Sequence, residues 1–350
     1  MKQAHPMLDI RLLTKEDLVV HLNKWEEPSY RANQIWSWLW QNPVYKFSDM
    51  TNLSQALRTR LAEQFDIRVI RADKIQRSTD GTIKTRFILH DDHYIEAVLI
   101  PVPGNKRFTV CVSSQVGCSL SCSFCATGKM IRMRNLDPGE IFDQVVMVNQ
   151  QSLEEYGKPL TNIVFMGMGE PLLNYKNVAA AIAHITSTDG LAMSPRRITV
   201  STAGIAKMIR RIADEGVRYN LALSLHAADD AKRNEIMPIN EQNDLSSLQK
   251  ALQYFYYKTR NKITLEYIAF NQFNDHASDA AKLAQFCKGF PVMINIIEYN
   301  PIEGANFVKS KEDRLDHFAK AIADKGIAIT VRKSRGKDID AACGQLANKD

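Results

Sequence analysis

From about residue 113 to the end, short apolar runs alternate with stretches of helical period, and no other feature restricts the fold as much. EIFDQVVMVNQQSLEEY has helical spacing, NIVFMGM reads as a buried strand, NVAAAIAHITS as a helix and RRITVST as a strand. GIAKMIRRIADEG, YNLALSLHA, SSLQKALQYFYYKTR, KITLEYIAF, DAAKLAQFCKGF, VMINIIEYN, LDHFAKAIADKG and IAITVRKS continue the alternation. Helices between strands predict an α/β domain with a mostly parallel sheet, closed as a barrel or left as an open partial barrel. Periodicity does not decide closure. Such folds bind ligands at the carboxyl ends of their strands. The polar and glycine-rich segments GMGEP, STAG and SLHA and the residue Asn300 fall there.

The segments before this domain differ in kind. Residues 15 to 65 read as helical, with Thr14 as a cap and Asp17 three residues on. Trp36, Trp38 and Trp40 form an aromatic patch, expected to pack a small helical unit or, less simply, to face RNA. Residues 67 to 112 contain strand-like runs such as TIKTRFILH, HYIEAVLIPV and RFTVCVSS. The expected organisation is a helical accessory domain over 1–66, a β-rich extension over 67–103, the α/β domain over 104–337, and a C-terminal loop and tail over 338–350. No run of the chain is apolar for long enough to span a bilayer. The opening MKQAHPMLDIRLL gains charge too early for an export signal, so a cytoplasmic protein is expected. The 45 Lys plus Arg exceed the 39 Asp plus Glu, a mild excess that suits an anionic partner without demanding nucleic acid.

Four of the six cysteines lie in VCVSSQVGCSLSCSFC. In a reducing compartment such clustering points to metal binding or chemistry rather than to structural disulfides. Cys118, Cys122 and Cys125 offer three soft ligands, which suit iron–sulfur, zinc or copper(I). Structural zinc takes four protein ligands, and Cys111 upstream is available as a fourth. A cubane cluster held by three cysteines leaves one iron open to a chelating amine and carboxylate.

Other residues gain meaning from their positions. Glu170 in GMGEP can accept hydrogen bonds from an ammonium, although the segment also reads as a plain strand-to-helix turn. Ser201, Ser224-Leu225-His226 and Asn300 recur at successive strand exits, as a polar ligand lying across a barrel mouth requires. Arg332, Lys333, Arg335 and Lys337 make a basic patch, most simply a solvated face. Cys343 lies beyond it in AACGQ and, on local context alone, reads as inert, as does Cys287 on a helical face.

Taken in order, CVSSQVGC, CSFC, RNL, GMGEPLLN, STAGI, LALSLHA, EYNPI and SRGKDIDAACGQL resemble the RlmN/Cfr family of radical S-adenosylmethionine (SAM) RNA methyltransferases over nearly the whole chain. The resemblance implies a partial (β/α)6 barrel behind a helical accessory domain. It implies one [4Fe–4S] cluster on Cys118, Cys122 and Cys125, and SAM held by Gly169, Glu170, Ser201, Ser224, Leu225, His226 and Asn300. It further implies that Cys343 becomes S-methylcysteine, that Cys111 resolves the RNA adduct through a transient disulfide, and that Glu96 accepts the proton. Two SAM are used per turnover. The implied substrates are one adenosine of 23S rRNA, before full ribosome assembly, and the adenosine 3′ of the anticodon in certain tRNAs, each methylated at carbon 2. A flavodoxin-type electron donor and a monomeric, membrane-free enzyme complete the expectation. Carbon 8 chemistry of the Cfr type and a zinc-dependent RNA-binding module are the alternatives. The chain departs from the family at Ile131, where glycine is usual, and in EQND, residues 241 to 244.

Overall fold

The computed structural model describes residues 7–102, 104 and 106–349. The first six residues of the expected helical region, residues 103 and 105, and the last residue of the expected tail lie outside it.

The chain begins with β1 (Leu8–Asp9), α1 (Lys15–Lys24), α2 (Arg31–Trp36), α3 (Gln55–Gln64) and β2 (Phe65–Asp66). Thr14 caps α1, and the Asp17 side chain accepts from the Thr14 amide in return. The helical reading of 15 to 65 misses a five-residue π segment, Ser37–Gln41, that continues α2, and a short parallel pairing of β1 with β2. Trp40 is fully buried, and its ring stacks on that of His184 with centroids 3.6 Å apart. Trp36 packs against the same histidine, so two of the three tryptophans are used in packing on the α/β domain.

β3 (Arg71–Arg77), β4 (Ile83–Ile88) and β5 (Tyr94–Val102) form an antiparallel meander that leads into β6 (Arg107–Cys111). The short strands β7 (Gln115–Val116) and β8 (Arg134–Asn135) pair across the loop that carries the cysteine triplet. The alternation follows: α4 (Pro138–Tyr156), β9 (Asn162–Phe165), α5 (Tyr175–Thr186), β10 (Ile198–Thr202), α6 (Ala206–Asp214), β11 (Asn220–Ser224), α7 (Asp230–Ile236), α8 (Leu245–Thr259), β12 (Ile263–Ala269), α9 (Ala277–Phe286), β13 (Met293–Glu298), α10 (Glu312–Ala323) and β14 (Ala328–Arg332).

The sheet runs β14-β13-β12-β11-β10-β9-β6-β5-β4-β3. Every pair from β14 to β6 is parallel. Six strand–helix units, opening with β6 and α4, are therefore followed by β14 as one further parallel strand. Among the described residues β14 pairs only with β13, so the barrel is open, and its open side lies between β14 and β6. The β-rich segment is not a separate layer. It extends the barrel sheet past β6, because β5 takes the edge that a closed barrel would give to the last strand. The turns follow local chemistry: α4 starts with Asp137, Pro138 and Glu140 in a capping box and stops at Gly157 in the left-handed conformation.

Arg11 fastens the accessory region to α4. Its Nη1 lies 2.7 Å from Asp143 and its Nε 3.6 Å from Asp9, all three side chains being buried. A Cβ at Gly139 would sit 2.6 Å from the Arg11 guanidinium carbon, so glycine in the first turn of α4 makes room for that contact. Arg11→Met removes the cation from two buried carboxylates and is expected to cost about 3–5 kcal/mol. Urea unfolding measures this, and an unchanged midpoint refutes it. Burial pushes the His184 imidazole down to about 4. The unfolded chain then binds this proton more readily than the folded chain. The resulting stability, present above about pH 6.5, is lost as pH falls toward 4. Thermal midpoints should drop between pH 7 and pH 5 in the wild type, and by less in His184→Phe.

Candidate active site

The cysteine triplet sits in the loop between β7 and β8. The loop closes on itself where Gly117 meets Ile131: a Cβ at Gly117 would lie 2.2 Å from the Ile131 carbonyl oxygen, and the Gly117 φ is +73°. Ile131 meets this contact with its backbone and leaves its side chain 82% exposed, so the bulk of this residue is not inside the loop. A second glycine, Gly128, brings the turn Thr127–Lys129 against the Cys122 backbone. Cys118, Cys122 and Cys125 all line one wall of a cavity of about 840 Å³, open mouth included.

The opposite wall is made by strand exits. Gly169, at φ +91°, lets the turn after β9 lie on Gln115, where a Cβ would come within 2.4 Å of the Gln115 side chain. Gln115 accepts the Glu170 amide at 2.9 Å and so ties this turn to the triplet loop. Glu170 is buried, and its two oxygens accept from the amides of Leu172 at 3.0 Å and Ala203 at 2.8 Å. The carboxylate thus joins the exits of β9 and β10, with the Thr202 side chain as a further partner, and Glu170 lines the cavity. Burial raises its proton affinity, and those amides offset part of the rise. The hydroxyls of Ser201 and Ser224, 3.5 Å apart, also line the cavity. So does His226, held at φ +56°. Its Nδ1 accepts from the Ile268 amide at 3.1 Å, and burial, then Arg233, pushes its pKa down to about 3. The imidazole is therefore neutral, with its other nitrogen the donor.

Three residues expected at this site stand elsewhere. Leu225 is fully buried and not on the cavity wall; its amide donates to Glu266 and its carbonyl accepts from Arg233. Asn300 donates to the Cys343 carbonyl at 3.3 Å, so it holds the loop that carries this cysteine. The Glu96 carboxylate is buried on β5, 3.2 Å from Lys84, and accepts from the amides of Ala347 at 2.9 Å and Asn348 at 3.2 Å. It lies beneath the C-terminal tail, and neither cavity described here is lined by it.

Cys343 lines both the first cavity and a second, of about 1330 Å³ with its mouth, which opens between β5, β6 and β14. Cys111, at the end of β6, lines the second cavity only. Burial pushes the Cys111 thiol up to about 12, and the nearby Cys343 sulfur adds to the rise. Cys343 is exposed by surface area yet lies in a concave mouth where desolvation raises its thiol pKa as well. All six cysteines are free thiols.

Burial likewise raises the three loop thiols, Cys118 to about 11, and a bound metal would replace their protons. Among the described residues, no three His, Cys, Asp or Glu side chains converge as they must around one metal ion. Three soft thiolate donors in one loop, facing a cavity, are chemistry that suits an iron–sulfur cluster.

Two groups at this site are absent from the sequence reading. Arg233 is fully buried and donates to the carbonyls of Leu225 and Ser224 and to Asn240, which places a cation near Cys122. Glu266, on β12, lines the first cavity; one carboxylate oxygen accepts from Asn295 at 2.7 Å, and the other has no hydrogen-bond partner. Only their spacing from apolar neighbours could have marked either. The basic patch is less free than its sequence implies. Arg332 lies 3.7 Å from Glu266, Lys337 pairs with Glu298, and Arg335 donates to the Asp80 carbonyl.

Residues 8–67 match the ribosomal RNA large subunit methyltransferase N-terminal domain, and residues 112–284 match the radical SAM superfamily. The chain is 53% identical to a probable dual-specificity RNA methyltransferase RlmN of Cytophaga hutchinsonii over 341 residues, which are 97% of this chain and 93% of the relative. It is 50% identical to the protein of the same description from Flavobacterium psychrophilum, over 98% of both chains. The fold superposes on the crystal structure of a radical SAM methyltransferase from Sphaerobacter thermophilus with a TM-score of 0.91, at 38% identity, over 98% of this chain and all of that one. The chain therefore belongs to the RlmN family of radical SAM RNA methyltransferases.

Proposed function

We propose that this enzyme methylates carbon 2 of one adenosine in 23S rRNA and of the adenosine 3′ of the anticodon in certain tRNAs. The observation that carries the reading is the position of Cys343. It faces the cavity of the cysteine triplet on one side and the cavity of Cys111 on the other. A residue that must collect a methyl group in one compartment and deliver it in another has to stand at such a junction.

Cys118, Cys122 and Cys125 would hold one [4Fe–4S] cluster. When bound, the reduced cluster and SAM supply the methyl group and a deoxyadenosyl radical, at two SAM per turnover. Gly169 lets the ligand approach the backbone, Glu170 offers a buried carboxylate to an ammonium, and Ser201, Ser224 and neutral His226 offer hydroxyl and N–H groups. Leu225 and Asn300 act indirectly, through the strand exit and the Cys343 loop.

Carbon 2 of adenine is electron-poor and resists direct attack on a sulfonium, so the methyl group travels on the Cys343 sulfur. With one hydrogen atom of that methyl group passed to the deoxyadenosyl radical, its carbon can bond to carbon 2; once the adduct has given up its odd electron, Glu96 accepts the carbon 2 proton. It reaches the ring once Ala347 and Asn348 release its carboxylate. The Cys111 thiolate then attacks the Cys343 sulfur and forms a disulfide, while the sulfur–carbon bond pair passes to the departing carbon, which takes up a proton to become the methyl group. A transient disulfide suits a reducing cytoplasm.

The helical residues before 67 and the cations around Arg332 contact the RNA, since extruding a base costs a few kcal/mol that outside contacts must supply. The rRNA is taken before full ribosome assembly. The enzyme acts as a monomer with a flavodoxin-type electron donor.

Anaerobic reconstitution should give about four irons per chain and a paramagnetic signal that shifts with SAM. Cys122→Ala should lose both, whereas stoichiometric zinc without a SAM response overturns the assignment. Nucleoside mass spectrometry after reaction with rRNA and tRNA should find 2-methyladenosine in both. An 8-methyl product instead assigns Cfr-type chemistry. Cys111→Ala should trap RNA on Cys343 through denaturation, and normal turnover by that variant rejects its resolving role.

A further inference from the structure

The second cavity combines two surfaces that suit different parts of one nucleotide. Val98, Ile100 and Val102 of β5 line one wall with apolar side chains, and Cys111 and Cys343 also face this space. The entrance is cationic. Arg107 is the first residue of β6 and Arg332 the last of β14, the two strands that flank the open side of the barrel. Both residues line this cavity and also a neighbouring one, the lower cavity.

Arg107 donates from Nε to Thr109 at 3.1 Å, and among the described residues no carboxylate pairs with it. Among the described residues the acidic partner of Arg332 is Glu266, at 3.7 Å, beyond hydrogen-bond reach. Partial burial and then the charge of Arg332 lower the proton affinity of Arg107, so the two cations repel each other across the opening. Lys262 and Arg196, on the lower cavity, add to the positive field. Like charges held together at a cavity mouth are relieved by an anion between them, and guanidinium groups match a phosphate with paired donors.

We propose that Arg107 and Arg332 clamp one backbone phosphate of the substrate RNA at the open side of the barrel, beside the nucleotide whose base enters toward Cys343 and Cys111. This deepens the RNA reading above and rests on it. An apolar wall receives the base, and the arginines hold its phosphate.

The test is a double-mutant cycle on the cluster-loaded enzyme. Arg107→Gln is combined with a neutral methylphosphonate placed, in turn, on each linkage flanking the target adenosine of an anticodon stem-loop. Filter binding should show that Arg107→Gln weakens the unmodified stem-loop about tenfold and makes the salt slope shallower by about one. At one linkage the methylphosphonate should weaken the wild type similarly and the variant not at all, and Arg107→Lys should recover part of the affinity. Independent, additive losses at both linkages overturn the clamp, as does an unchanged affinity in Arg107→Gln. Loss of S-methylcysteine at position 343 before RNA is added also overturns it, by placing Arg107 on the methyl-loading side. Failure of the RNA reading shows separately, as a wild-type enzyme that does not bind the unmodified stem-loop, and it removes the clamp too.

Discussion

One backbone hydrogen bond joins the loop of the cysteine triplet to the loop of Cys343. The Ala126 amide, directly after Cys125, donates to the carbonyl of Gly344, directly after Cys343, at 2.7 Å. The Thr127 hydroxyl adds a second bond to the Leu346 carbonyl at 2.6 Å. Segments more than two hundred residues apart are thus held side by side, and the Cys343 sulfur is left facing both cavities. Gly344, at φ +85°, suits this place: a Cβ there would press to 3.2 Å on the Phe124 carbonyl oxygen. The position of the sulfur depends on backbone groups, which a side-chain rotation does not break.

The far side of the same C-terminal loop is fastened to the meander. Asp80, in the turn between β3 and β4, accepts from the Gly336 amide at 2.9 Å, and Asp338 accepts from the Ser78 hydroxyl at 2.6 Å and the Thr79 amide at 3.1 Å. Lys84 adds a bond to the Asp340 carbonyl. This explains why the antiparallel strands extend the barrel sheet instead of forming a unit of their own. They carry the anchor points for a loop that would otherwise lie loose at the open side, where β14 offers no partner strand. Two buried charges near the site, Arg233 and Glu298, are fully bonded, in contrast to Glu266. Arg233 spends its donors on carbonyls at the strand exits, and Glu298 accepts from the Ser334 amide and pairs with Lys309 and Lys337, which hold its pKa at about 2.

Local rules made much of the chain legible. The period of EIFDQVVMVNQQSLEEY gave α4, and Thr14 with Asp17 marked the start of α1. The apolar runs of 162–165, 198–202 and 220–224 became adjacent strands. What escaped was set by distant partners. The π segment after α2 has no local marker, because burial of Trp40 against His184 decides it. Arg233 looked like any charged helical residue, and its burial follows from the carbonyls of two strand exits, those of β10 and β11, which converge only in the fold. The bonds of the Glu96 carboxylate to the Ala347 and Asn348 amides were not legible either, because those partners lie at the far end of the chain, while Lys84 is on the neighbouring strand.

The sequence by itself determined the alternation of strands and helices and the loop in which three thiols cluster, because periodicity and short spacing are properties of neighbouring residues. It also carried the family, since the ordered motifs are local strings. Only the tertiary structure decided that the barrel stays open, that β5 occupies the edge at which it would close, and that Cys343 stands between two cavities. Those outcomes depend on which strand edges pair and which loops share hydrogen bonds, and the energy of such pairings belongs to residues that are remote along the chain.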